Sequence, residues 1–232
     1  MIDLGPQEWQ AIALSLQVAF VATLLSLPFA VAVAWLLARK AGWWHPILNG
    51  LVHLPLVLPP VVTGYLLLVV FGTQGPVGGF LQESFGLTLA FRWTGAALAA
   101  AVMAFPLMVR ALWLGFEAVD PGLEEAARTL GAARGKVFRT VTLPLILPSL
   151  LAGAVLGFAK ALGEFGATIT FVAAIPGETR TIPSAIYNLL QVPGQEEAVL
   201  ALVAVSILLA LGALVLSDVL SRRVIRSRQA DA

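Results

Sequence analysis

Two ionisable residues, Lys160 and Glu164, stand four positions apart inside a long apolar stretch of the chain. A spacing of four places both side chains on one face of a helix, where an ammonium and a carboxylate can pair. Charges inside a bilayer are costly, and those that occur are usually paired or functional. The spacing therefore predicts one of two arrangements. Either the pair neutralises itself and faces neighbouring helices, or Lys160 biases a pathway toward a dianion, an effect that Glu164 opposes.

The other reactive residue types give no support to catalysis or to a bound cofactor. The chain has no cysteine and only two histidines, so we expect neither thiolate chemistry nor a metal site. The stretch from Gly131 to Val137 resembles a phosphate-binding loop, but it has three residues instead of four before its Gly-Lys pair and ends in valine. We therefore expect no enzyme activity, no cofactor and no ATP hydrolysis by this chain.

The composition places these residues in a membrane protein. Of the 232 residues, 59% are hydrophobic and 12% are charged, whereas soluble domains are about 45–50% apolar and about 25% charged. A spanning helix needs roughly 20 apolar residues, and five stretches are long enough. We predict an all-α polytopic membrane protein that forms a single domain over residues 1–232. Its predicted spans are residues 11–38, 51–71, 94–116, 148–173 and 198–220.

The basic residues predict the orientation of the five spans. Ten of the fourteen lysines and arginines follow the first span, the third span or the last one. Because short cytoplasmic loops carry the excess of basic residues, we predict an extracytoplasmic N-terminus, a cytoplasmic loop at 117–147 and a cytoplasmic tail at 221–232. The protein is expected in the cell membrane, which is the inner membrane in a Gram-negative cell, in contact with lipid and not with nucleic acid.

Prolines interrupt the second span at Pro55, Pro59 and Pro60. A proline removes a backbone donor and tends to kink a helix, so we predict a broken helix here. The break is either a packing kink or a hinge or gate beside a pathway. In the fourth span, Gly153 and Gly157 are spaced for close helix packing.

The loop at 117–147 contains signals for a helix of its own. Asp120 suits an N-cap, Pro121 the first helical position and Gly131 a helix end. Between them, Leu123, Ala127 and Leu130 fall on one face, and Glu124 can pair with Arg128 on another. The pattern of residues alone leaves two interpretations open: a helix that lies on lipid headgroups, and a helix that docks on a soluble partner.

A spacing pattern in this loop resembles a known family signature. Glu125-Ala126-Ala127 is followed by Gly131, and Val141 and Leu143-Pro144 come later at the spacing of the "EAA" signature, with valine where the pattern has isoleucine. The signature is typical of the membrane subunits of binding-protein-dependent ABC importers. The resemblance implies a coupling helix that docks in a cleft of the ATP-hydrolysing subunit. Its predicted coupling residues are Glu125, Ala126, Ala127, Gly131, Leu143 and Pro144.

A second group of segments resembles the molybdate permease subunits of that family. They are 157–172, 175–183 and 191–194, together with the Leu-Pro-Leu-Val-Leu-Pro-Pro run of the second span. Sulfate and thiosulfate permeases share the Gly-Glu-Phe-Gly motif of this group, so the alternative substrates are tungstate and sulfate or thiosulfate. The resemblance implies the transmembrane domain of a type I ABC importer that translocates molybdate.

The resemblance also implies a set of partners. These are a second copy of the chain, two ATPase subunits on the cytoplasmic side and one extracytoplasmic molybdate-binding protein. The outward loop at 174–197 is either a plain connector or part of the surface on which the binding protein docks. The residues of the pathway or gate are predicted as Pro59, Pro60, Lys160 and Glu164. Two rival functions of other classes are an ion-coupled secondary transporter and a membrane anchor for a soluble complex.

Overall fold

The computed structural model describes residues 4–40 and 42–230, and the side chains of the last helix as far as Leu216 and at Val219. Within these residues the chain is helical, without strands. The helices are α1 (Pro6–Arg39), α2 (His45–Val57), α3 (Pro60–Phe71), α4 (Pro76–Phe85), α5 (Trp93–Glu117), α6 (Pro121–Thr129), α7 (Arg134–Val137), α8 (Leu143–Leu162), α9 (Gly166–Val172), α10 (Ile182–Leu189) and α11 (Glu196–Ala230). A π-helical turn, Phe138–Thr142, joins α7 to α8.

Four helices of the described chain are long and apolar enough to cross a membrane, and a bent pair of helices is apolar enough to form a fifth, broken span or a re-entrant loop. The four are α1, α5, the continuous helix Arg134–Leu162 and the first part of α11. The bent pair is α2 and α3, whose axes differ by 112° across Leu58 and Pro59. The predicted all-α multi-pass membrane fold is therefore confirmed, and the second span is broken at the predicted prolines.

The fourth span differs from its predicted bounds of 148–173. The helix begins at Arg134, within the predicted loop at 117–147, and it ends at Leu162. Pro148 lies inside this helix, as spanning helices tolerate a proline where other parts of the protein satisfy the freed backbone group. The segment from Gly166 to Val172 is a separate short helix, α9.

Two further bounds differ from the sequence prediction. The segment predicted as a tail, 221–232, continues α11 as far as Ala230, and the side chains of its arginines lie outside the described part. The connection between the second and third spans contains an unpredicted helix, α4. This helix has ten residues, which is too short for a search based on spanning length to find.

Small side chains allow the central helices to approach closely. α5 packs along both α1 and α8, and the core between them is rich in alanine, including Ala19, Ala22 and Ala100. A Cβ atom at Gly157 would lie 2.6 Å from Cγ of the buried Met108. The predicted close packing at Gly153 and Gly157 is confirmed, since both glycines face α5.

The half-helices α3 and α9 also pack through glycines. A Cβ atom at Gly64 would lie 2.5 Å from the carbonyl oxygen of Ala167, and one at Gly166 would lie 2.7 Å from Cβ of Pro60. Backbone therefore meets backbone at this contact, and it brings the break at Pro59 and Pro60 next to the start of α9.

We predict that Gly64→Ala destabilises the protein by about 1–3 kcal/mol, because the added methyl group meets fixed backbone atoms. Gly50→Ala is the matched control, since a Cβ atom at that helical position meets nothing within 4 Å. There the loss of glycine flexibility favours the folded state by up to about 1 kcal/mol. Thermal unfolding in detergent should lower the midpoint for Gly64→Ala and not for Gly50→Ala. Equal midpoints would show that α3 and α9 are not in close contact.

Candidate functional site

The helix α6 projects from one end of the bundle, here called the α6 end. None of its residues is buried against the rest of the chain. Leu123 and Leu130, the two leucines predicted to share a face, are 49% and 89% exposed. An apolar face left uncovered on a helix outside the spanning segments is suited to bind a partner.

The ends of α6 form as the sequence predicts. The side chain of Asp120 accepts a hydrogen bond of 2.8 Å from the amide of Gly122, and Pro121 occupies the first turn. Gly131 adopts φ +85°, a conformation that favours glycine, just after the helix ends. These caps fix a helix of nine residues between the third span and α7.

The predicted coupling residues divide between two elements. Glu125 and Ala126 are exposed on α6, Ala127 is half-buried beside them, and Gly131 follows directly. Leu143 and Pro144 lie beyond the π-helical turn, at the start of α8. The structure therefore places the first four on the projecting segment and the last two on the span that it adjoins.

Glu124 does not form the pair that its spacing from Arg128 predicts. Its Oε1 lies 3.2 Å from Nη2 of Arg39 and accepts a hydrogen bond of 2.7 Å from the hydroxyl of Thr142. Glu124 pairs with Arg39 and not with Arg128 because the side chains of Arg39 and Thr142 reach the same carboxylate oxygen of Glu124. Sequence reasoning assigned no site role to Arg39 or Thr142, and nothing in their spacing could have indicated one.

Lys160 and Glu164 meet at the break between α8 and α9. Nζ of Lys160 donates to Glu164 at 2.7 Å, so the predicted ion pair is confirmed. Glu164 lies beyond the end of α8 and not within one continuous helix, and its other oxygen accepts the amide of Ala167 at 3.1 Å. Its side chain is 2% exposed, against 30% for Lys160. The carboxylate is thus fixed inside the protein, and the ammonium is the accessible member of the pair.

The two predicted gate prolines lie close to this pair. Pro59 and Pro60 form the bend between α2 and α3, and both are exposed in the single chain. Pro60 faces Gly166, two residues after Glu164. The structure therefore brings all four predicted pathway or gate residues to one region, where two broken helices touch.

The opposite end of the bundle, called the α10 end, carries an ordered connection between α9 and α11. It turns at Pro176-Gly177, with Gly177 at φ +76°. The hydroxyl of the buried Thr179 accepts the amide of Ile175 at 2.9 Å. The helix α10 follows, and its first amide, that of Ile182, donates to Ser15 on α1 at 2.7 Å.

This arrangement is that of a multi-pass membrane subunit with a projecting helix at one end and a break within the bundle. The family model of the binding-protein-dependent transport system inner membrane component matches residues 10–226. The chain belongs to this family.

Relatives of known name agree with the family match. The molybdenum transport system permease protein ModB of Escherichia coli (strain K12) is 59% identical over 215 residues, covering 93% of this chain and 94% of the relative. ModB of Haemophilus influenzae is 56% identical over 216 residues, with the same coverage of 93% and 94%. The sulfate transport system permease protein CysT of Salmonella typhimurium is 35% identical over 224 residues, covering 95% of this chain and 80% of the relative.

Solved structures share the fold. A bacterial alginate ABC transporter in complex with an alginate pentasaccharide-bound periplasmic protein matches with a TM-score of 0.73 at 20% identity, covering 95% of this chain and 80% of that one. The methionine ABC transporter MetNI in inward facing conformations matches with a TM-score of 0.69 at 17% identity, covering 94% of each chain. The fold is therefore that of a type I ABC importer transmembrane domain.

We predict that Lys160→Met destabilises the protein by about 3–5 kcal/mol, because it leaves the buried carboxylate of Glu164 without its counterion. The double variant Lys160→Met, Glu164→Gln removes both charges and should recover most of that loss. Thermal unfolding of the two variants in detergent measures the difference. A single variant as stable as the parent would contradict the structural role assigned to the pair.

Proposed function

We propose that this chain is the membrane-spanning permease subunit of an ABC importer that translocates molybdate, with ATP hydrolysed by a partner subunit. The single observation that carries the proposal is the 59% identity to a molybdenum transport permease over 93% of the chain. The projecting α6 with its family signature supports it. On this proposal the chain itself performs no catalysis.

The α6 end is where we place the contact with the ATPase. Leu123 and Leu130 expose apolar surface that the described residues of the chain leave uncovered. Glu125 and Ala126 lie exposed on the same short helix. Gly131 has a left-handed conformation and open space around it. Another protein could therefore approach the backbone closely at the end of α6. These features favour docking on a protein over lying on lipid headgroups.

The partners on the remaining surfaces follow from the same proposal. The outer side of the α2–α3 bend exposes apolar residues such as Val57 and Val61, and we place the second copy of the chain there. The α10 end has a turn and a helix tied to α1, which supports a docking surface for the molybdate-binding protein. In this arrangement the N-terminus is extracytoplasmic and the C-terminus cytoplasmic.

We place the gate of the pathway where the two broken helices touch. A break lets a half-helix tilt without unfolding the spans beside it, as in transporters built from discontinuous helices. Pro59 and Pro60 supply one break and the Glu164 segment supplies the other. Because Glu164 is buried and Lys160 is partly accessible, the ammonium is the group of the pair that a substrate could reach. Its positive charge suits an anionic substrate.

The test is uptake by the complete importer in liposomes, with the chain, its ATPase subunit and its binding protein. We expect molybdate to enter only when ATP is supplied, and sulfate to compete poorly. Preferred uptake of sulfate would assign the chain to sulfate transport. Uptake that survives without the ATPase and follows an ion gradient would overturn the proposal in favour of a secondary transporter.

In the same liposomes, we predict that Gly131→Arg abolishes or uncouples uptake, because a non-glycine residue is strained at φ +85° and a bulky side chain would obstruct the docking segment. Gly86→Arg is the matched control and should leave uptake normal, since Gly86 at the end of α4 has φ +66° and open space and lies in no segment that we assign to a partner. Disrupted assembly without a loss of transport by the assembled complexes would instead favour a membrane anchor.

A further inference from the structure

Three residues from three different elements meet at the α6 end, and together they are called the Glu124 network. Arg39 is the last residue of α1, Glu124 lies in α6, and Thr142 ends the π-helical turn before α8. Oε1 of Glu124 lies 3.2 Å from Nη2 of Arg39 and 2.7 Å from Oγ1 of Thr142. Nη2 of Arg39 also donates to the carbonyl of Val119 at 3.4 Å, so α1 contacts both α6 and the segment that leads into it.

The network is shielded from solvent, unlike an ordinary surface ion pair. The side chains of Arg39 and Glu124 are 16% and 14% exposed, and Thr142 is buried. Hydrogen bonds to an ionised group are shorter and stronger than neutral ones, and shielding reduces their screening by salt. These contacts can therefore hold the three elements together.

Glu124 makes every side-chain hydrogen bond by which α6 contacts a spanning helix or the π-helical turn, within the residues that the structure describes. The other side-chain hydrogen bonds of α6 are local, from Gly122 to Asp120 and from Thr129 to Ala126. Since no residue of α6 is buried, apolar packing does little to fix its position. Besides the covalent connections to α5 and α7, Glu124 therefore provides the main side-chain contact through which a displacement of α6 can be resisted or transmitted.

Thr142, the last residue of the π-helical turn, bonds differently from Thr140 in the same turn. The hydroxyl of Thr140, two residues earlier, donates to the carbonyl of Lys136 in its own helix at 2.8 Å. The hydroxyl of Thr142 instead leaves its helix and donates to Glu124. From Thr142, α8 runs without interruption to Leu162, beside the break that holds Lys160 and Glu164.

We propose that the Glu124 network is the mechanical link of this importer, with Glu124 as a positioning residue. It passes a displacement of α6 to α1 through Arg39 and to α8 through Thr142, and α8 delivers the displacement to the break at its far end. This inference rests on the proposed function, since it needs an ATPase that moves α6. It assigns coupling to residues that need not touch the ATPase or the substrate.

The test compares variants of the complete importer in liposomes and measures molybdate taken up per ATP hydrolysed. We expect Thr142→Val, which keeps the shape and removes the hydroxyl, to lower this ratio roughly fivefold or more, the usual size of a coupling between sites. Basal ATP hydrolysis should stay unchanged. Thr142→Ser should restore the ratio, and Thr140→Val, the matched control, should leave it normal.

A second comparison addresses whether Glu124 and Thr142 act together. Glu124→Ala should lower the ratio at least as much as Thr142→Val, and adding Thr142→Val to Glu124→Ala should cause no further loss. If the double variant instead lost as much of the ratio as the two single variants together, Glu124 and Thr142 would act independently, and the network would not be a unit.

The failures of the two proposals are distinguishable. A parent complex that hydrolyses ATP without taking up molybdate overturns the proposed function, and the link with it. A coupled parent whose Thr142→Val and Glu124→Ala variants keep the normal ratio overturns the link alone. Loss of assembly in both variants, with a normal ratio in whatever complex remains, would show that the network only supports the fold and would also overturn the link.

Discussion

A helix that breaks inside a bilayer leaves amide and carbonyl groups that hydrocarbon cannot bind, so other parts of the protein must cover them. This chain breaks twice, between α2 and α3 and between α8 and α9, and it packs the two short half-helices against each other. Gly64 and Gly166 make that contact close enough to exclude other atoms. Glu164 then satisfies the amide of Ala167 and pairs with Lys160. The alanine-rich packing of α5 against α1 and α8 holds this arrangement in place.

The same constraint relates the two functional regions to each other. Because other helices cover both breaks, a break can move only when the helix that leads to it moves as well. α8 is such a helix, because it begins beside α6 and ends at the break near Glu164. α1 runs past the same core and ends at Arg39, which contacts Glu124 of α6. The exposed helix α6 is thus connected through α1 and α8 to the break at which we propose the gate.

Much of this could be predicted from the sequence, because apolar length and glycine or proline chemistry act locally. Spanning helices, the break at Pro59 and Pro60, the caps of α6 and the Lys160–Glu164 pair all depend on residues within a few positions of one another. The end of the fourth span at Leu162 was not predicted, because the apolar run continues past it, although Gly163, the C-cap of α8, is a local signal for a helix end. The contact of Arg39 with Glu124 was equally hidden, because 85 positions separate the two residues and Arg128 offered a nearer partner.

The role that we propose for α6 requires it to contact an ATPase. The chain has no cysteine, so a single Leu130→Cys substitution places one thiol on the exposed leucine that ends α6. The direct measurement is the rate at which a maleimide labels this thiol, with and without the ATPase subunit bound. Leu190→Cys, at the end of α10, serves as the reference position. We predict strong protection from labelling at position 130 and none at position 190 when the ATPase binds. Equal labelling at 130 in the free and ATPase-bound protein would contradict it.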